Sequence, residues 1–118
     1  MLKELNIRIS SKDEYLRPCQ MDDLDSLLAI TTNTALMTFM GGTLTRQQTQ
    51  NYLQRFSTSN EMNSENWWII CQKLTMKFVG FIWTLYHSAE KSVDLNIVIK
   101  PEFQNQGLES NVLKTWTQ

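Results

Sequence analysis

The clearest hydrophobic pattern lies towards the C-terminal end, where Val93, Leu95, Ile97 and Ile99 recur at every second position. A period of two is that of a strand with one strongly apolar face. Lys100-Pro101 ends it, because the residue before a proline is held extended and proline cannot continue a ladder. Residues 104–107 read as a small polar turn. Leu108, Val112, Leu113 and Trp116 then recur at helical spacing, which predicts a last helix beginning near Gly107. The first amides of such a helix lack internal partners and carry the positive end of the dipole, so they suit a phosphate.

The preceding chain supplies the rest of a layered fold. Leu5, Ile7 and Ile9 alternate with polar residues and predict a first short strand. A turn at 11–13 leads to a second strand over 14–17, closed by Pro18. Asp22 and Asp23 open a helix of about ten residues whose face is Leu24, Leu27, Leu28 and Thr31. Residues 31–40 show no clear period before Gly41-Gly42 interrupts them, and Met37, Phe39 and Met40 read as core or cleft wall. Thr45 and Gln48 fit a capping box, with Tyr52, Leu53 and Phe56 on the buried face of a second helix. Residues 57–66 read as a polar surface loop.

Three more strands are expected at 67–71, 77–86 and 93–99. The turn at 72–75 lacks the Gly or Asn of a tight hairpin. In the middle strand Phe78, Gly80 and Ile82 share one face and Val79, Phe81, Trp83 and Leu85 the other. A strand apolar on both faces belongs at the centre of a sheet, and Gly80 within it marks a close backbone approach or a bulge. The order is strands, two helices, three antiparallel strands and a helix, an α+β fold with flanking helices on a mostly antiparallel central sheet.

Composition narrows the classes. At 118 residues, 42% of them hydrophobic, the chain reads as a single domain over 1–118. A net charge of −1 and a pI near 5.8 give no basic footprint, so no nucleic acid is expected as a partner. Cys19 and Cys71 look like reduced core thiols, which points to a cytoplasmic location. One histidine, His87, is too few for a zinc cluster, so no metal is expected. The N-terminus has no apolar run of signal or membrane-span length.

Gln104 and Gly107, preceded by Pro101-Glu102-Phe103, resemble the cofactor motif of the GNAT family of N-acetyltransferases, Gln/Arg-x-x-Gly-x-Gly/Ala after the fourth strand. Glu109 departs from it, standing where the family has Gly or Ala. Leu16-Arg17-Pro18 is similar to the end of the family's first strand. The resemblance runs from about Tyr15 to the last residue and is nearest the branch acting on ribosomal-protein N-termini and small amines. It implies an acyl-CoA N-acyltransferase fold lacking its C-terminal strands and helix. It also implies acetyl-CoA as cosubstrate and a small-molecule or peptide primary amine as acceptor.

By the same resemblance, the backbone at Ile97, Val98 and Ile99 would hold the pantetheine arm and polarise the thioester carbonyl. Gln104, Asn105, Gln106, Gly107 and Leu108 would cradle the pyrophosphate. Asp94 would be the general base, and Asn96 would contact cofactor or acceptor. The plain alternative for Asp94 is a polar residue on the less apolar face of a strand. A strand 93–99 without a successor would present an open edge, for which a homodimer or a complementing C-terminal segment is the expected cover. Two other readings stand beside the enzyme: a degenerate acetyltransferase domain acting as a binding module, and an unrelated small α+β interaction domain.

Overall fold

The computed structural model describes residues 4–58 except 10–12, residues 65–104, and 112–117; for 4–9 and 112–117 it is the backbone that is described. The elements in order are β1 (Glu4–Ile9), β2 (Glu14–Pro18), α1 (Leu24–Thr31), α2 (Arg46–Thr58), β3 (Glu65–Gln72), β4 (Phe78–His87), β5 (Ser92–Ile99) and β6 (Val112–Thr117). Short 3-10 turns at Met21–Asp23, Thr38–Met40 and Pro101–Phe103 join them. The main sheet is antiparallel in the order β2-β3-β4-β5, with β4 central as its two-faced apolar pattern predicts. The fold is α+β.

Both helices pack on one face of that sheet. Leu27 and Ile30 of α1 and Leu53 and Phe56 of α2 close over Trp67, Ile69, Cys71, Phe81 and Val98. The capping box of α2 is formed: the Gln48 amide donates to Thr45 Oγ1 at 3.0 Å, and the Thr45 amide donates to Gln48 Oε1 at 2.9 Å. Where the helices meet, the fully buried hydroxyls of Thr31 and Thr49 share a 2.8 Å hydrogen bond, so neither is left unsatisfied. The opposite face gathers Ile70, Val79, Ile82 and Ile99, with Leu95 and Ile97 beside them. The alternating side of β5 thus faces away from the helices, and Asp94 and Asn96 stand on the helix side.

Four local differences from the sequence reading have physical causes. First, Phe78 packs with Phe81 and Trp83, and Val79 packs with Ile82, the reverse of strict alternation. A β-bulge is responsible: Cys71 pairs with Phe78 and Ile70 with Gly80, so Val79 is the extra residue and the faces swap across it. Second, the turn after β3 manages without Gly because Met76 itself takes the left-handed conformation, φ 59°. Third, β3 begins at Glu65, inside what reads as loop.

The fourth is the largest. The helix expected from Leu108, Val112, Leu113 and Trp116 is a strand from Val112 on, pairing antiparallel with β1 from Ile9↔Val112 to Glu4↔Thr117. Val112, Thr115, Trp116 and Thr117 are residue types that favour strands. A distant partner, which a local period cannot detect, decides the outcome. Gly107 and Leu108 lie outside the described residues.

Candidate functional site

The site is built where β4 and β5 run together. At Gly80 the β5 backbone comes so close that an added Cβ would meet the Val98 carbonyl oxygen at 2.1 Å and the Ile99 Cα at 3.0 Å. The Lys100 amide then donates to the Val79 carbonyl at 2.9 Å, and the Gln104 side-chain amide donates to the Ile99 carbonyl at 3.0 Å. The bulge and these two bonds fix the end of β5, where the cofactor-binding backbone of Ile97, Val98 and Ile99 is expected. Among the described residues β5 pairs with β4 alone. In an antiparallel edge strand alternate residues turn their N–H and C=O groups away from the neighbour, and Ile97 and Ile99 are such residues here, with the Ile99 carbonyl taken by Gln104. Of the expected pyrophosphate cradle, Gln104 is exposed; Asn105, Gln106, Gly107 and Leu108, with Glu109, lie outside the described residues.

Nearer the start of β5 a cleft of about 220 Å³ opens on the helix side of the sheet. Its walls are Phe39 and Met40 from the turn between the helices, Glu65 from β3, Trp83 and Leu85 from β4, and Asp94 and Asn96 from β5. Register explains the grouping. Glu65, Leu85 and Asp94 lie in one cross-strand row, and Trp67, Trp83 and Asn96 in the next. Asp94 and Asn96 are thus brought together, and Phe39, 94% exposed, and Met40 form a wall.

The two carboxylates in the cleft differ. Glu65 has both oxygens engaged: Trp83 Nε1 donates to Oε2 at 2.6 Å and Arg55 Nη2 to Oε1 at 2.8 Å. Arg55 in turn lies over the rings of Tyr52 and Phe56. Asp94 is 66% exposed at its side chain and gives one oxygen, Oδ2, to His87 Nε2 at 2.8 Å. That hydrogen bond raises the pKa of His87 above its usual value; desolvation opposes the rise, and the charges of Asp94 and Glu90 add to it. Sequence reading treats Glu65 as loop and His87 as turn. The signal for both is cross-strand register, which the period along one strand does not reveal. Beneath the cleft, Trp67 is ringed by Tyr52, Phe56, Phe81 and Trp83 at centroid distances of 5.3 to 5.5 Å. Among the described residues no His, Cys, Asp and Glu group could hold a metal ion, and no helix is long and apolar enough to cross a membrane.

The molecule is thus an α+β sheet with a tightened β4–β5 pair and a cleft of about 220 Å³ beside it. The sequence matches the acetyltransferase (GNAT) domain family over residues 15–118, and the chain belongs to that family. Among solved structures it is similar to an acetyltransferase of the GNAT family from Bacillus anthracis, with a TM-score of 0.71 and 17% identity over 88% of this chain. It is also similar to an acetyl transferase from Salmonella typhimurium that modifies the N-terminal serine of 50S ribosomal subunit protein L7/L12, with a TM-score of 0.67 and 13% identity over 90% of this chain. The chain spans about 60% of the length of each: 60% of the first and 62% of the second. A comparison with curated protein sequences finds no match.

Proposed function

We propose that the protein transfers an acetyl group from acetyl-CoA to a primary amine, as one cytoplasmic acetyltransferase domain. The observation that carries this is the convergence of Asp94 and Asn96 in an open cleft, on a strand that among the described residues pairs with β4 alone. The chemistry asks for an amine stripped of its proton, a carbonyl oxygen stabilised as charge builds on it, and a thiolate that is protonated on leaving. In this reading the outward amides of Ile97 and Ile99 hold the pantetheine and polarise the carbonyl, while Val98 between them keeps its backbone turned to β4. Gln104 to Leu108 hold the pyrophosphate, Asp94 accepts the amine proton and Asn96 orients the acceptor. Phe39, Met40, Trp83 and Leu85 supply an apolar wall for the carbon chain next to the amine. By analogy with the Salmonella protein, a peptide N-terminus is one acceptor to try.

Two observations favour a second reading, a GNAT domain that binds without catalysing. Glu109 stands at a motif position suited to Gly or Ala, and Val112–Thr117 is strand rather than helix. Mass spectrometry of the protein incubated with acetyl-CoA and a panel of amines and N-terminal peptides separates the two. An acetylated product that disappears in Asp94→Ala supports the enzyme; coenzyme A binding without product supports the binding module. For the open edge of β5 we infer a second copy or a complementing segment as cover. Light scattering that reports a monomer at every micromolar concentration would remove the second copy.

A further inference from the structure

We propose that α2 carries a second acceptor subsite, in which Arg55 takes a carboxylate borne by the third residue of a peptide acceptor. The subsite rests on the acetyl-transfer reading above and extends it from the amine to the sequence that follows the amine. Gln48, Asn51, Tyr52 and Arg55 recur at helical spacing on one face of α2 and line a cavity of about 260 Å³. Two contacts join that cavity to the cleft. The ring of Tyr52 meets that of Trp83, a cleft wall, with centroids 5.1 Å apart. Arg55 Nη2 donates to Oε1 of Glu65, another cleft wall, at 2.8 Å.

The free donors select the ligand. Asn51 Oδ1 already accepts from Gln47 Nε2, and Gln48 Oε1 from the Thr45 amide, each at 2.9 Å. What these two side chains have left to offer is N–H groups. A guanidinium has donors and no acceptor, and among the described residues that of Arg55 makes one hydrogen bond, to Glu65. Its carbon lies 5.2 Å from the Tyr52 ring centroid and 4.9 Å from that of Phe56, so the group is already held in place and loses little freedom on binding. A cavity rich in donors beside an anchored cation fits a carboxylate. It fits neither an ammonium nor an apolar side chain.

Register sets the distance from the amine. Glu65, Leu85 and Asp94 form one cross-strand row. Glu65 and Asp94 are thus two strand spacings apart, about 10 Å, and Arg55 stands beyond Glu65. An extended peptide advances about 3.4 Å per residue. With the amine at Asp94, an acidic third side chain reaches the guanidinium, and so does the terminal carboxylate of a tripeptide. Leu85 and Trp83 offer apolar surface to the residues between.

Steady-state kinetics and NMR binding titrations with short peptides test the subsite. One pair is two tetrapeptide amides with free N-termini, aspartate third in one and asparagine third in the other. The second pair is a tripeptide acid and its amide. We expect the aspartate peptide to show a KM and a Kd roughly three- to fivefold below those of the asparagine peptide, the size an exposed ion pair allows. The kcat should be the same for both, because the contact is made equally in ground and transition states. Arg55→Met keeps the stem on the rings and loses the charge, and should bring the ratio to one. Arg55→Lys should keep part of it. Structural damage alone weakens both peptides together and leaves the ratio intact. A preference confined to the acid over its amide assigns the subsite to a chain terminus rather than a side chain. Equal constants within both pairs, no binding of any peptide, or a preference that survives Arg55→Met overturns the subsite. An absence of product with every peptide overturns the acetyl-transfer reading, and the titrations still decide the subsite.

Discussion

The carbonyl oxygen of Val98 occupies the space that a side chain on Gly80 would need, 2.1 Å from the ideal Cβ position. Both groups are backbone-fixed at the bulge, so neither can swing aside as a flexible side chain would. Gly80→Ala must push β5 from β4 or flatten the bulge, and overpacking of this kind costs about 3 kcal/mol. Urea unfolding should show that loss. An alanine variant of unchanged midpoint would mean that the two strands are not held as closely as the register implies.

Trp83 and Arg55 both depend on Glu65. Glu65→Ala leaves the Trp83 indole N–H, part-buried, without its acceptor, and an unsatisfied group of this kind costs about 1–3 kcal/mol. The Arg55 contact adds little, because its side chain is 58% exposed and such pairs are worth about 0–1 kcal/mol. Glu65→Gln keeps an acceptor for Trp83 and gives up the charge. We therefore expect alanine to be clearly worse than glutamine in thermal unfolding, and equal losses would assign the stabilisation to the ion pair instead.

The reach of the sequence is clear from these two cases. The strands around Trp67, Phe81 and Ile97, the central place of β4, the cap on α2 and the importance of Gly80 are local or period-two properties, and the chain displays them. Three things depend on partners far away in sequence. The bulge at Val79 shows only in register with β3, and it decides which face each residue takes. Glu65 and His87 acquire a role only through Trp83, Arg55 and Asp94. Val112–Thr117 carries apolar spacing compatible with a helix, and its pairing with β1 makes it a strand. Asp94 and Asn96 stand out in the sequence as polar positions on the less apolar face of a strand, whereas the cleft they line needs a wall from residues 39 and 40.

Arg17 and Asp23 form a two-pronged pair, with Nη1 to Oδ2 at 2.9 Å and Nη2 to Oδ1 at 2.6 Å, and the Gln20 amide donates to the same carboxylate at 2.7 Å. Asp23 is nearly buried, so its partners are shielded from water. The bond to Asp23 holds the Arg17 guanidinium still more firmly protonated than usual. Asp23→Ala would strand both an arginine and a helix-entry amide, at about 3 kcal/mol. A double-mutant cycle with Arg17→Ala should return a coupling of at least about 1 kcal/mol; strict additivity would reduce the pair to a surface contact.

The His87–Asp94 pair also makes stability depend on pH in a definite direction. The folded imidazole binds its proton more tightly than the unfolded one. Its contribution is therefore complete below the unfolded value of about 6.5 and is lost as pH rises through the higher folded value. The urea midpoint of the parent should decline across that window, by a small amount because both side chains reach solvent. Asp94→Asn should remove this component, with no other histidine to mask it. A midpoint that rises across the same window would contradict the pairing.

Cys19 offers the last test, of the core beneath α1. The side chain is 4% exposed, and burial pushes its thiol up to about 11, with the nearby Asp23 charge adding to the effect. At pH 8 only about one thiol in a thousand would be thiolate, the form that attacks alkylating agents. Burial blocks approach as well, so two independent barriers act on the same atom. Cys71, 2% exposed, shares the steric barrier. Iodoacetamide at pH 8 should leave both cysteines of the native protein unmodified over the time in which urea-unfolded protein takes up two labels. Because modification then requires opening of the core, Gly80→Ala should speed it in proportion to its loss of stability. Rapid labelling of Cys19 in the native parent would mean that the β2–α1 junction opens without global unfolding, and the Arg17–Asp23 pair would then be too weak to hold it shut.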